Sequence, residues 1–208
     1  MANILKSINN YYSEKIKEHG ATPAGVDWNG EDSQILRFEK LCSVINRQGN
    51  FSLNDLGCGY GKLVDYLQLN YPGQYDYVGY DLSNEMILTA KKKYGEPSGV
   101  KFLKINNPSE MHCGDYTVAS GIFNVKMHHS ESDWLASIID TLDLINKNSR
   151  LGYSFNLLTK YSDPEFMKNN LYYADPCILF DYCKRNHSKK VSLLHNYNLY
   201  EFTMIVNK

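Results

Sequence analysis

Cysteine is scarce in this chain of 208 residues: Cys42, Cys58, Cys113, Cys177 and Cys183 make an odd five, and no two are spaced C-x-x-C. That spacing offers neither a disulfide framework nor a zinc site, and leaves the five as small buried hydrophobes. An excess of one charge is missing as well. With 22 basic and 23 acidic residues the net charge is −1, whereas binders of nucleic acid or anionic membranes usually carry a basic surplus. No apolar run approaches the ~20 residues of a bilayer span. Residues 1–10 lack the basic start, apolar stretch and cleavage site of a signal peptide. There is no internal repeat, low-complexity tract or Pro/Gly linker either. These absences predict one soluble, cytoplasmic domain, and a chain of this size can bury roughly 70% of its unfolded surface without staples.

What the chain does have is tyrosine, 17 in all, enough stacking and hydrogen-bonding surface for a ligand pocket. Residues 1–20 read as a polar helix ended by Gly20, and the loop 21–30 leads to a second helix. Asp32 or Ser33 is its expected cap, and Ile35, Phe38, Leu41, Cys42 and Ile45 are its expected buried stripe. From residue 51 strands and helices alternate. Strands are expected at 51–56, 75–80, 100–105, 116–120 and 151–157, then at 191–194 and 200–206. Helices are expected at 62–69, 83–94, behind a capping box of Ser130 and Asp133, and near 174–186. The alternation implies a parallel sheet covered on both faces. A turn of five residues before the last strand is too short for a parallel crossover, so that strand must run antiparallel.

The most informative stretch is Asn54-Asp55-Leu56-Gly57-Cys58-Gly59-Tyr60-Gly61, which leaves a strand and enters a helix. Glycines there let a ligand approach the backbone at the helix N-terminus. A dinucleotide fingerprint would place its third glycine one residue later, where Lys62 stands. Asp81 closes the second strand 20 residues beyond Gly61, where a carboxylate can accept both hydroxyls of a ribose.

The run Asp55 to Gly61 resembles motif I of the class I S-adenosylmethionine-dependent methyltransferases, and Asp81 resembles that family's ribose-binding acid. The likeness spans residues 50–208. It implies a Rossmann-like, seven-stranded mixed α/β sheet in the order 3-2-1-4-5-7-6 with strand 7 antiparallel, under a helical cap at 1–48. It implies S-adenosyl-L-methionine as cofactor, bound by Asp55, Gly57, Cys58, Gly59 and Gly61, the three glycines facing its methionine part, with Leu82 and Met86 flanking adenine. Asn106 stands where the family often has an Asp that accepts from the adenine amino group; an amide carbonyl can accept too. Asp27-Trp28 and Gln34-x-x-Arg37-Phe38 resemble the cap of small-molecule members, where Arg37 could pair with the methionine carboxylate or be a solvated helix arginine.

Ligands of open α/β sheets bind beyond the carboxyl ends of the strands. Three segments lie there: residues 121–130 with Phe123, Asn124, Lys126, His128 and His129; residues 156–176 with Lys160, Tyr161, Tyr172, Tyr173 and Asp175; and the hairpin at His195 and Tyr197. Tyr11 and Tyr12 could belong to a lid. Transfer of a methyl group asks mainly for alignment and desolvation; a hydroxyl acceptor also needs a base, for which His195, His128 and His129 are candidates. His19, His112 and His187 read as surface residues, and no metal-ligand spacing emerges. Residues 120–123 lack the D/N/S-P-P-aromatic run of DNA amino-methyltransferases. Together the cap and the segments at 172–176 and 194–197 resemble members associated with bacterial surface-polysaccharide synthesis. The resemblance therefore implies O-methylation of a small-molecule acceptor, a sugar or phosphoramidate-type precursor of capsule biosynthesis. A non-catalytic cofactor-binding scaffold, a protein methyltransferase and a nicotinamide enzyme are the alternatives.

Overall fold

The computed structural model describes residues 2–26, 30–95 and 97–208. Strands β1 (Phe51–Leu56), β2 (Tyr75–Asp81), β3 (Val100–Lys104), β4 (Gly114–Ala119), β5 (Ser149–Leu158), β6 (Lys190–Leu194) and β7 (Glu201–Asn207) form one sheet in the order β3-β2-β1-β4-β5-β7-β6. The pairs from β3 through to β5 are parallel, and β7 runs antiparallel to both β5 and β6. This is the Rossmann-like sheet that the alternation and the resemblance imply.

Helices α1 (Ala2–His19), α2 (Glu31–Cys42), α3 (Leu63–Asn70), α4 (Asn84–Tyr94), α5 (Glu131–Lys147) and α6 (Pro176–Asn186) surround the sheet. Three start where a side-chain oxygen accepts an otherwise orphaned N–H: Ser83 from Met86, Ser130 from Asp133 and Asp175 from Cys177. Two large cores result, one on each face, beside a small third cluster of Ile16, Tyr60 and Met86. One packs Leu41, Val64, Leu67 and Ile87 against Leu53, Tyr77, Phe102 and Tyr116. The other packs Trp134, Ile138, Leu142 and Leu179 against Tyr80, Phe155, Phe202 and Met204.

Several expectations need correction. Gly30, with extended backbone and no side-chain bond, precedes α2 instead of Asp32 or Ser33; Ser33 Oγ donates to the Gly30 carbonyl instead. The buried stripe of α2 is rotated. Ile35 is 45% exposed while Gln34 and Arg37 are buried beside Phe38, Leu41 and Cys42, Gln34 accepting from the Tyr60 hydroxyl at 3.4 Å and Arg37 ion-paired to Glu201. Cys113 and Cys177 are exposed thiols, unlike the other three cysteines. His187 leaves only 3% of its side chain exposed, with its ring bonded to Asp143 at 2.8 Å and to the Tyr153 hydroxyl at 2.5 Å. Tyr200 belongs to the β6–β7 turn, and Glu201 begins the strand. Asp27 and Trp28 lie outside the described residues.

Candidate active site

The β1–α3 turn is built by backbone geometry that favours glycine: φ is +78° at Gly57, +55° at Gly59 and +83° at Gly61. Gly57 and Cys58 both donate from their N–H groups to the Tyr80 carbonyl, at 2.8 and 3.0 Å. The Gly59 N–H donates to Asp81 Oδ2 at 2.9 Å, and Asp81 Oδ1 accepts from the Ser83 N–H at 2.8 Å. One carboxylate thus ties the glycine turn to the start of α4. Each of its oxygens retains a lone pair for a further donor, as a ribose diol would supply. Asp55 lies below, accepting from the Tyr77 hydroxyl at 2.7 Å.

Asp55, Leu56, Gly57, Cys58, Gly59, Asp81, Leu82 and Met86 line an inner cavity roofed by Leu5, Ile8, Asn9 and Tyr12 of α1. Helix α1 is fastened over it by Ser13 Oγ, 2.8 Å from Ser83 Oγ, and by Lys17, 3.0 Å from Glu85. Two observations fit a bound nucleoside cofactor. A Cβ at Gly59 would stand 3.0 Å from Val26 Cγ1, so the turn's wall is bare backbone. Ser120 Oγ, on the same wall, is buried without a hydrogen-bond partner, a vacancy a ligand polar group can fill.

An outer cavity adjoins the inner one, with a volume of about 1230 Å³ against about 120 Å³. Tyr12, Val26 and Gly121 line both. The outer walls carry Tyr11, Tyr173, Tyr197, Asn124, Lys15, His19, Arg37, Lys168 and Glu201. The segments after β4 and β5 make one rigid side of it by pairing with each other: Tyr172 N–H donates to the Asn124 carbonyl at 2.8 Å and Met127 N–H to the Asn170 carbonyl at 2.9 Å. The Asn124 side chain accepts from the Leu158 N–H at 3.1 Å, so it also braces the end of β5.

Some expected residues stand elsewhere. Gly61 does not line the inner cavity; its missing Cβ admits the Phe102 ring, whose Cε1 would be 2.7 Å from that atom. Asn106 is exposed and engaged by Lys104 Nζ, because the chain turns at the end of β3 so that Ile105 faces the cavity. Arg37 lines the outer cavity and is ion-paired to Glu201. Tyr172 is buried behind the wall that Tyr173 lines.

None of His128, His129 and His195 lines either cavity. His128 follows Met127, which sits at φ +52°, and is exposed; His129 stacks on Trp134 at 6.2 Å. His195 is exposed, with its ring beside Tyr161 and Phe202. His19, expected at the surface, lines the outer cavity instead. Glu201 and Ser120 went unnoticed in sequence. The legible signal for Glu201 was its place at the head of a strand flanked by two others, where a side chain is covered.

Burial pushes Asp55 up to about 7, Asp81 to about 6 and Glu201 to about 7; hydrogen bonds and, at Glu201, the Arg37 charge oppose it. All three values exceed those of the unfolded chain, near 4. The folded protein therefore binds more protons than the unfolded one between about pH 4 and 7. The stability this contributes is complete below about pH 4 and is lost as pH rises through 6 to 7. Carboxylates that lysines hold low, such as Glu85 at about 2, titrate below that window. The ligand-free protein should accordingly melt several degrees higher at pH 5.5 than at pH 8 by calorimetry. A melting temperature that rises over the same interval would contradict the burial argument.

The fold and this turn-and-acid site are those of a methyltransferase that uses a nucleoside-linked methyl donor. Residues 54–145 match the methyltransferase domain family. A Mycobacterium tuberculosis protein provisionally named methyltransferase Rv1506c is 48% identical over 168 residues, spanning 79% of this chain and 98% of the relative. The chain belongs to the class I S-adenosylmethionine-dependent methyltransferases. Among solved structures, DhpI in its SAM–HEP complex superposes with a TM-score of 0.66 at 13% identity, covering 99% of this chain and 98% of that one. Magnesium protoporphyrin IX methyltransferase from Synechocystis PCC 6803 with bound SAH gives 0.61 at 13% identity, covering 85% and 81%. At such identities the likeness is one of fold. The enzyme's cofactor is S-adenosylmethionine, and no described helix is long and apolar enough to cross a membrane.

Proposed function

We propose that the enzyme methylates a hydroxyl of a small anionic acceptor, a phosphorylated or phosphoramidate-bearing sugar precursor of a surface polysaccharide, in the cytoplasm. The observation that carries this reading is the common wall. Because Tyr12, Val26 and Gly121 belong to both cavities, a donor held on the glycine turn and an acceptor in the outer room meet there. When bound, S-adenosylmethionine supplies a methyl group activated by a positively charged sulfur. Asp81, joined by Asp55 above about pH 7, gives the inner cavity a negative character suited to that cation. In the outer cavity Arg37 is ion-paired with Glu201, the one lining carboxylate among the described residues, and Lys15 and Lys168 add positive charge, so its walls favour an anion.

Rings of Tyr11, Tyr12, Tyr173 and Tyr197 together with the amides of Asn124 and Asn170 suit a sugar, which presents C–H faces and hydroxyls. The polysaccharide assignment rests on resemblance in the cap and in segments 172–176 and 194–197. DhpI was crystallised with a ligand beside its cofactor, which accords with a small-molecule acceptor. The test is transfer of label from S-adenosylmethionine to a panel of nucleotide sugars, sugar phosphates and the same sugars unphosphorylated. Label should enter the phosphorylated compounds at least tenfold faster. Equal rates with neutral sugars would remove the anionic part of the reading. Label appearing only on added protein would replace it with protein methylation, and binding without any transfer would favour a scaffold.

A further inference from the structure

We propose that Glu201 is the proton acceptor of the reaction, taking the acceptor's hydroxyl proton from the wall of the outer cavity. The inference rests on the hydroxyl-acceptor reading above. Among the described residues lining that cavity Glu201 is the one carboxylate. It stands there because β7 lies between β5 and β6, so its first residue is covered although it is charged; the side chain is 1% exposed.

Its surroundings hold it. Arg37 of α2 forms an ion pair with Oε1. Asn156 of β5 donates from Nδ2 to Oε2 at 3.0 Å, and the same amide accepts from the Gly121 N–H at 2.7 Å. Gly121 is part of the wall common to both cavities, so two hydrogen bonds connect the carboxylate to the place where donor and acceptor meet. The other titratable neighbour is Tyr197 of the β6–β7 turn, whose hydroxyl is 2.7 Å from Thr203 Oγ1 and whose phenol burial pushes far above neutrality.

Burial against the Arg37 charge leaves Glu201 titrating near 7, matched to proton abstraction at working pH. The competing group is His19, on the last turn of α1 and 3.7 Å from Glu18.

The step balances. The acceptor's O–H bond breaks, and its proton goes to a Glu201 oxygen. The freed electron pair on the acceptor oxygen forms the new C–O bond to the methyl carbon. The S–C bond breaks with its pair retained on sulfur, leaving a neutral thioether and a neutral carboxylic acid.

Two variants test the assignment in the full chain, with UDP-glucose and glucose 1-phosphate as acceptor probes. Glu201→Gln removes the charge opposite Arg37 and is the variant more prone to fail in folding. Glu201→Asp keeps that charge and withdraws the carboxylate by one methylene. Both should bind S-adenosylmethionine within about twofold of wild type and lose 10²-fold or more in kcat. The fall in wild-type kcat below about pH 7 should vanish in Glu201→Gln. A ¹³C-carboxyl glutamate NMR signal absent from Glu201→Gln should titrate near 7. Turnover within a few-fold of wild type with an unchanged pH profile would overturn the proposal and leave Glu201 a structural partner of Arg37. Loss of the acid limb in His19→Gln instead would move the base to α1. If wild type methylates neither probe, the acceptor reading is what fails. A Glu201 signal titrating in the ordinary carboxylate range near 4.3 would sink its role whatever the acceptor.

Discussion

Asp81→Ala should weaken S-adenosylmethionine binding by roughly ten- to 150-fold, the equivalent of about 1.5–3 kcal/mol for hydrogen bonds to a charged group. The carboxylate stands at the end of β2, one oxygen held by the Gly59 N–H and the other by the Ser83 N–H, and a ribose diol is its proposed further partner. Those same bonds mean that alanine also frees two backbone donors in the turn and the α4 cap. A modest drop in melting temperature should therefore accompany the loss. Asp81→Asn separates the two effects in part: it keeps the shape and one acceptor oxygen, so one of the two backbone donors regains its partner and part of the stability should return while affinity stays low. Calorimetric titration of wild type and both variants reads the result. An alanine variant that binds within twofold of wild type would remove Asp81 from the cofactor site.

Gly61→Ala should cost about 2–5 kcal/mol of stability, with a fall in melting temperature on the order of 5–15 °C. Two independent penalties add. The residue sits at φ +83°, and its new Cβ would stand 2.7 and 2.9 Å from Cε1 and Cζ of Phe102, a ring with no exposed surface. Tyr94 closes the third side at 3.1 Å. The ring cannot retreat, since it packs against Tyr77 and Tyr94. Any weakening of cofactor binding should follow from the displaced turn and shrink when stability is restored elsewhere. A variant that melts like wild type would show that the turn relaxes more easily than its packing indicates.

The fold was legible because it depends on local signals that repeat. Apolar strands such as 51–56, capped helices at Ser83 and Ser130, and a short final turn each restrict the chain within a few residues. The meeting of the glycine turn with its acid was legible for the same reason: Gly57 to Gly61 and Asp81 are joined across adjacent parallel strands whose register follows from the β–α–β alternation. Where local pattern misled, a distant partner had changed the environment. The α2 stripe was expected to be purely apolar, yet Arg37 is buried because Glu201, far along the chain, receives its charge. His187 was expected to be exposed, yet Asp143 and Tyr153 draw it in.

By itself, then, the sequence determined the sheet, its helices, the glycine turn and the acid that faces it. Only the tertiary structure decided that α1 roofs the inner cavity, that Tyr12, Val26 and Gly121 line both cavities, and that Glu201 rather than His128, His129 or His195 lines the outer one. Periodicity and turn chemistry are written in neighbouring residues. The solvation and charge of a side chain depend on which remote elements cover it, and for Glu201 those are α2, β5 and the turn before β7.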